Sequence, residues 1–185
     1  MVKILRDYNG EFLPEMRLES FSKDTLIELL RLYARFYLAI DGFWYLSVKE
    51  RSSNEEALAC DLLAWESVVK YESKRLTKMM KIDGNDVAAL VKTLQLSPWF
   101  WNLEYKLEVE NRNQAMLTIT HCPTLIALEE EGEGREESIC NLVDTKVFKD
   151  YASFFSPGIE VKCLKSPPRK SKNEVCCQWE FKLEE

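Results

Sequence analysis

Residues 99–109 read WFWNLEYKLEV, and this stretch decides the fold class. Every odd-numbered position carries an apolar side chain, and every even-numbered position except Phe100 carries a polar one. A period of two is typical of a strand with one buried and one solvated face. Ala115, Leu117 and Ile119 continue the pattern after a polar turn, so the sequence predicts an antiparallel hairpin.

The chain before this hairpin has helical periodicity. Ser22 offers an N-cap for a first helix that we expect to reach about Arg51. Its central stretch, residues 36–48 (FYLAIDGFWYLSV), is apolar on nearly every side, which predicts a helix enclosed by other elements. A second helix to about Met80 and a third over residues 86–95 follow.

Short helices and a second hairpin complete the chain. Residues 123–155 have a helical pattern, which we expect to break near Gly134 and near Asp144. Residues 159–163 and 175–183 alternate between apolar and polar side chains, and they form the predicted third and fourth strands.

The order of these elements indicates an α+β protein. A helical N-terminal half, residues 22–96, precedes a four-stranded antiparallel sheet of two hairpins with intervening short helices, residues 97–185. Runs of helices followed by runs of strands favour helices that cover one face of a sheet. We expect one domain over residues 1–185, since this length suits a single core.

Charge and hydropathy limit the partners. The net charge is -6, so the basic surface on which non-specific nucleic-acid binding depends is not evident. The N-terminus shows no apolar leader, and residues 36–48 are too short, and interrupted by Asp41, to cross a bilayer. We therefore expect a cytoplasmic protein without a membrane partner, whose cysteines are free thiols, metal ligands or redox groups.

The C-terminal cysteines are the strongest chemical feature. They are Cys122, Cys140, Cys163, Cys176 and Cys177, and the only histidine, His121, precedes the first of them. Strand parity predicts that Cys163 and Cys177 face inward and that Cys176 faces outward. If Cys122, Cys140, Cys163 and Cys177 converge, their soft thiolates suit zinc or an iron–sulfur centre. Buried cysteines also pack as small hydrophobic residues, and the spacing matches no metal signature.

A cysteine nucleophile is a second interpretation. Cys140 could lie near a helix N-terminus, where the helix dipole lowers the pKa of a thiol. The base would be His121, which strand geometry turns away from Cys122 but not from Cys140 or Cys177. Otherwise, His121 is a partly exposed residue at the end of a strand.

Asp41 is the most unusual residue of the helical half. A carboxylate within an apolar stretch is costly unless a partner compensates it, and Tyr37, Trp44 and Tyr45 are near enough on the helix to donate. The second-helix carboxylates that could join it are Asp61, Glu66 and Glu72. Asp41 is then either a general base with a raised pKa or a structural carboxylate that ties helices together.

Several segments carry a resemblance to known families. They are residues 33–44 (YARFYLAIDGFW), 94–99 (LQLSPW), 155–159 (FSPGI) and 177–181 (CQWEF), with Cys122-Pro123, Cys140 and Cys163. Together they resemble an uncharacterised family of small cytosolic proteins from anaerobic microbes, over residues 24–185. The C-terminal half is similar to the L-2-amino-thiazoline-4-carboxylate hydrolase-like family, whose three cysteines correspond to Cys122, Cys140 and Cys177. That resemblance implies ring-opening hydrolysis of a small heterocycle, whereas the layout also looks like the vinyl-reductase-type ligand-binding fold of small-molecule sensors.

Three functional hypotheses follow. We expect a small-molecule pocket between the first helix and the sheet, lined by Asp41, Trp44, Cys122, Cys140 and Cys177. A hydrolase acting on a non-peptide C–N bond would use Cys140 or Cys122 on the ring carbon and Asp41 for the proton. The alternatives are a non-catalytic module that binds a small molecule, metal or cofactor, and an interaction protein whose cysteines only pack the core. The long apolar first helix also suits a homodimer.

Overall fold

The structure is a computed structural model that describes residues 4–184, and its element order confirms the predicted α+β class. The helices are α1 (Lys23–Arg51), α2 (Asn54–Met80), α3 (Val87–Leu94), α4 (Pro123–Glu131) and α5 (Arg135–Phe155). The strands are β1 (Glu104–Asn111), β2 (Gln114–His121), β3 (Ile159–Lys165) and β4 (Cys177–Leu183). Within residues 4–184, no helix combines the length and the apolar character that crossing a bilayer requires.

Side-chain caps fix where the first three helices begin. At the start of α1, the side chain of Ser22 accepts a hydrogen bond from the backbone N–H of Thr25. At the start of α2, the side chain of Ser53 accepts one from the backbone N–H of Glu56. Asp86 caps α3 by accepting from the backbone N–H of Ala89. Each such cap stabilises a helix by about 1 kcal/mol, so these short polar residues set the helix boundaries that the sequence predicts.

The four strands form one antiparallel sheet in the order β1-β2-β4-β3. The central strands β2 and β4 pair with Leu117 opposite Trp179, and both side chains are fully buried. Phe148 of α5 packs on Trp179 with 4.8 Å between ring centroids. The opposite face carries mainly polar side chains, including those of Gln178 and Glu180. These positions confirm the two predicted hairpins and the helices on one face of the sheet.

Two predicted boundaries were wrong. Residues 100–102 form a short 3-10 helix instead of the start of β1, because Phe100 is buried and the Trp99 indole donates to the hydroxyl of Tyr151 over 3.2 Å. Helix α5 continues through Asp144 without a break. The break was predicted because the side chain of Asp144 is polar, but this residue lies on the same helical stripe as buried residues of α5.

Three predicted environments were also wrong. The central stretch of α1 is not enclosed, since Phe36 and Phe43 are 53% and 71% exposed. Cys163 is exposed, because β3 is an edge strand, and Cys176 is buried. Cys176 precedes β4, where its thiol donates to the backbone oxygen of Thr120 over 3.4 Å, so strand parity does not apply to it.

Candidate functional site

A groove of about 760 Å³ runs between α1, α2 and the segment that joins α3 to β1. Its apolar walls are formed chiefly by Leu30, Tyr33, Val68, Tyr71, Leu76 and Trp101. The two long antiparallel helices place these side chains along facing stripes, and Leu96 and Pro98 close one side. We call this feature the aromatic groove. Its size is that of pockets that bind small organic molecules in other proteins.

Glu72 of α2 brings a carboxyl group into the wall of the aromatic groove. Its Oε1 accepts a hydrogen bond of 2.7 Å from the hydroxyl of Tyr151, and its Oε2 lies 3.4 Å from the hydroxyl of Tyr37. Burial raises the pKa of Glu72, and the hydrogen bonds from Ser97, Tyr151 and Tyr37 only partly oppose that rise. The partners of this carboxyl are thus neutral hydroxyls, which leave its charge uncompensated.

Arg75 and Tyr71 form a rim at the mouth of the same groove. The Arg75 guanidinium carbon lies 3.3 Å from the centroid of the Tyr71 ring, and its Nη1 donates to the Tyr71 backbone oxygen over 3.3 Å. A guanidinium stacked on an aromatic face keeps free N–H groups for an anionic partner. The groove therefore has a negative inner wall, apolar sides and a positive rim.

A second polar group lies next to the inner wall of the groove. It contains the carboxyls of Asp41, Asp61 and Asp144 and the thiols of Cys122, Cys140 and Cys177, and we call it the acid–thiol cluster. Tyr37 adjoins both regions, because its hydroxyl contacts Glu72 and its pKa is raised by burial, by Glu72 and by the charge of Asp41. Trp65 packs against Tyr37 with 6.2 Å between ring centroids.

Asp41 and Asp61 form a carboxyl pair between α1 and α2. The charge of Asp41 raises the pKa of Asp61, so the two carboxyls interact directly, and the nearby indole of Trp65 favours the charged form of both. Burial outweighs these contacts and raises both pKa values, that of Asp61 to about 7 with a further contribution from the charge of Asp41. Oδ1 of Asp61 is buried without a partner, so the pair is best satisfied when it holds a proton.

Of the three second-helix carboxylates that could join Asp41, only Asp61 lies beside it. Glu66 turns away from Asp41 and forms ion pairs with Lys70 and Lys146. Glu72 belongs to the aromatic groove, where Tyr37 lies between it and Asp41. Of the predicted donors, Tyr45 donates elsewhere, to Asn54 Oδ1 over 2.9 Å. The indole of Trp65, which was not predicted as a partner, lowers the pKa of Asp41 against the effect of burial.

Asp144 of α5 connects the carboxyl pair to the thiols. Burial alone raises its pKa to about 7, and its charge raises the pKa of Asp61. Burial is the main cause of the raised pKa values of Cys122, Cys140 and Cys177, and the charge of Asp144 raises them further. Asp144 is a functional candidate that the sequence did not predict. The sequence does contain a feature that could have indicated it: a carboxylate four residues after Cys140 and four before Phe148, on the buried stripe of one helix.

The thiols are protonated at neutral pH. Cys122 caps α4, and its sulfur accepts from the Leu125 backbone N–H over 3.4 Å. A helix N-terminus lowers the pKa of a thiol, but burial and Asp144 prevail here and raise the pKa of Cys122 to about 12. Cys140 lies in the second turn of α5, beyond the reach of the dipole, and burial raises its pKa. The predicted lowering of the Cys140 pKa was therefore wrong.

The other predicted site residues lie apart from this cluster. His121 is exposed at the end of β2, and Trp44 is exposed on α1. Among residues 4–184, no group of three or more His, Cys, Asp or Glu side chains is arranged to hold a metal ion. Zinc or iron–sulfur binding by Cys122, Cys140, Cys163 and Cys177 has no support from this geometry and stays a prediction.

The predicted pocket between the first helix and the sheet differs from the observed groove. Asp41, Trp44, Cys122, Cys140 and Cys177 do not line the aromatic groove. Tyr37 is the residue of α1 that reaches from the groove toward Asp41. From the sequence, Glu72 is predicted only as a carboxylate that could join Asp41. Its partner Tyr151 comes from α5, far along the chain, so the pattern within α2 does not indicate this contact.

Comparisons with known proteins return one finding. A family model described as a family of unknown function, DUF6125, matches residues 19–183. No curated protein and no solved structure matches the chain. The resemblances to the thiazoline-carboxylate hydrolase-like family and to proteins of anaerobic microbes stay hypotheses.

Proposed function

The chain belongs to the DUF6125 family of unknown function, and on that premise we propose that it is a small-molecule binding module. The ligand is a flat, largely apolar molecule with a protonated nitrogen, and it occupies the aromatic groove. This is the non-catalytic small-molecule binding that the sequence predicted as an alternative, but a different set of residues forms the binding groove. The cysteines are not needed for it.

The observation that carries the proposal is the carboxyl of Glu72 in an apolar wall. A buried carboxylate without a cationic partner is costly, and the rise of the Glu72 pKa expresses that cost. A protonated amine or amidine bound beside it would restore the charge balance. Tyr37 and Tyr151 hold the carboxyl in place through their hydroxyls, so the acceptor is oriented before the ligand arrives.

The walls and the rim of the aromatic groove indicate which other groups the ligand carries besides its protonated nitrogen. Tyr33, Tyr71 and Trp101 offer aromatic surfaces to a planar body. Arg75 at the mouth could take an anionic substituent at the far end of the ligand. The groove volume of about 760 Å³ holds a molecule of one to three rings with room to spare.

Titration calorimetry with tryptamine and indole tests the charge requirement. The two probes share the aromatic body, and only tryptamine carries an ammonium group. We expect tryptamine to bind more tightly to the wild type, and the Glu72→Gln variant to weaken tryptamine by about 10- to 100-fold while leaving indole unchanged. Glu50→Gln is the matched control, because Glu50 is exposed on α1 and does not line the groove.

The outcomes separate charge recognition from simple hydrophobic adsorption. Equal affinity for tryptamine and indole would mean that Glu72 does not recognise a cation, and the proposal would fail. An affinity for tryptamine that survives Glu72→Gln, or falls equally in Glu50→Gln, would also overturn it. Heteronuclear NMR on the same samples locates the probe through shifts at Tyr71 and Trp101.

Hydrolysis of a non-peptide C–N bond is a second candidate, favoured by two carboxyls with pKa values of about 7. Asp61 and Asp144 titrate near neutral pH, as a general acid or base should. The protonated thiols of Cys122 and Cys140 argue for water, activated by a carboxylate, as the attacking group. Water would add to the ring carbon, and the departing nitrogen would take a proton from the carboxylic acid.

L-2-amino-thiazoline-4-carboxylate is the substrate with which to test the second candidate. Turnover that Asp144→Asn abolishes, and that the Cys122→Ala and Cys140→Ala variants retain, would support water attack. Loss of turnover in the cysteine variants, with the fold intact by circular dichroism, would instead support the predicted nucleophile. No turnover by the wild type would leave the binding module as the proposal.

A further inference from the structure

We propose that the outer face of α1 is an interface that binds a second copy of this chain. The inference is independent of the ligand that the aromatic groove takes. The most apolar stretch of the sequence lies on the surface of the monomer. Phe36, Ile40 and Phe43 are 53%, 70% and 71% exposed.

Helix α1 has two distinct faces. Ala34 and Tyr45 are buried on the inner one, which faces α2 together with Tyr37 and Asp41. The outer face carries apolar residues at alternating spacings of three and four: Leu29, Leu32, Phe36, Ala39, Phe43 and Leu46. This spacing places them in one stripe along a 29-residue helix. A stripe of this kind is the seam along which two helices pack.

The exposed area matches the requirement of a stable dimer. Leu32, Phe36, Ile40, Phe43, Trp44 and Leu46 are all at least two-fifths exposed, and none of them lines the aromatic groove. Each exposes roughly 100 Å², so the face offers roughly 600 Å² per copy. A standard protein interface buries about 800 Å² per partner. A monomer seldom leaves an apolar patch of this size in water, so the face has an occupant.

The charges beside the stripe favour a protein partner over a lipid surface. Glu28 and Arg35 lie along the same flank, so both signs border the apolar residues. Helices that lie on anionic membranes carry mainly Lys and Arg on that border. The net charge of the chain is -6, which disfavours an anionic surface further. A second copy presents the same mixed border and an apolar stripe of equal length, which gives a self-complementary two-fold contact.

Light scattering after size-exclusion chromatography tests the proposal on the full chain. We expect the wild type to have twice the 21.7 kDa mass of one chain over a wide range of concentration. Phe43→Glu and Leu32→Glu each place a carboxylate in the seam, so we expect self-association to weaken by roughly 100-fold or more in each. Leu142→Glu is the matched control: Leu142 is 51% exposed on α5, and its variant should remain a dimer.

The outcomes are decisive because the substituted side chains are exposed in the monomer, and circular dichroism reports whether each variant folds. A wild type with the mass of one chain overturns the proposal, and this result needs no variant. A dimer that survives both α1 substitutions, or that Leu142→Glu disrupts equally, also overturns it. A monomeric wild type that floats with vesicles of phosphatidylcholine and phosphatidylserine assigns the face to a membrane instead.

Discussion

Tyr151 of α5 donates its hydroxyl to Glu72 of α2 over 2.7 Å, and this bond joins the sheet-packed helix to the groove-forming helix. Tyr151 is fully buried and also receives the indole N–H of Trp99. Its ring is therefore fixed from two sides. The position of the groove carboxyl depends on a residue that does not line the groove.

We expect Tyr151→Phe to lower the free energy of unfolding by about 2 to 3 kcal/mol. The substitution keeps the ring but removes a donor to a buried carboxyl and leaves the Trp99 indole without its acceptor. Urea unfolding near neutral pH, followed by circular dichroism, measures the change. Tyr33→Phe is the control, since Tyr33 is mostly exposed, and its loss of a hydroxyl should change stability by less than about 0.5 kcal/mol. Equal effects of the two substitutions would contradict the anchoring role of Tyr151.

Asp144 makes the stability of the protein depend on pH in a direction that can be stated in advance. Its folded pKa of about 7 lies above its ordinary value of 3.8, so the folded state binds more protons between these values. The contribution of Asp144 to stability is thus present at low pH and is lost as the pH rises from about 4 to about 7. In Asp144→Asn the amide cannot ionise, and this loss disappears.

We therefore expect Asp144→Asn to be more stable than the wild type near pH 8, by roughly 2 to 4 kcal/mol, and by only about 1 to 2 kcal/mol near pH 5, where the loss is partly developed. Urea unfolding of the two proteins at both pH values gives the comparison. Asp83→Asn, at an exposed loop position, is the matched control for replacing an aspartate by asparagine at the surface. A constant difference between Asp144→Asn and the wild type at the two pH values would show that Asp144 does not titrate in this range.

The sequence predicts the layout of this fold much better than its site. Alternation along β2 and β4 identifies buried residues such as Leu117 and Trp179, because strand parity is a local property. The exposure of Phe36 and Phe43 is not local, since it depends on how many elements the chain can place around α1. The partly buried position of Asp144 likewise requires α5 to be continuous and to lie on the sheet. The pairing of Glu72 with Tyr151 joins α2 to α5, and no spacing in a single sequence encodes such a contact.

The thiols should react in an order set by burial. Cys163 is exposed and Cys60 is partly accessible, whereas Cys140, Cys176 and Cys177 are buried. The thiol of Cys122 has a pKa of about 12, so its reactive thiolate is scarce. We expect a colorimetric disulfide reagent near pH 8 to modify Cys163 first, and Cys163→Ser to remove the fast phase. The C-terminal buried thiols should react only after denaturant is added.

The same measurement bears on the cysteine nucleophile. A fast phase that persists in Cys163→Ser and vanishes in Cys122→Ala or Cys140→Ala would contradict the expected order. It would show that one of these thiols is activated in solution, and the hydrolase candidate with a cysteine nucleophile would gain support. Cys60→Ser is the control for the remaining accessible thiol.

Asp41 and Asp61 should show a coupling that changes with pH. Near pH 8, above the Asp61 pKa of about 7, either Asp41→Asn or Asp61→Asn removes the same repulsion between the two carboxylates. Each single substitution should then stabilise the protein, and the double variant should gain less than the sum of the two. Near pH 5 the pair holds a proton, and the single substitutions should be neutral or slightly destabilising. Urea unfolding of the four proteins at both pH values measures the coupling free energy. Additive effects at high pH would mean that the two carboxyls titrate independently, and the inference that they share a proton would be wrong.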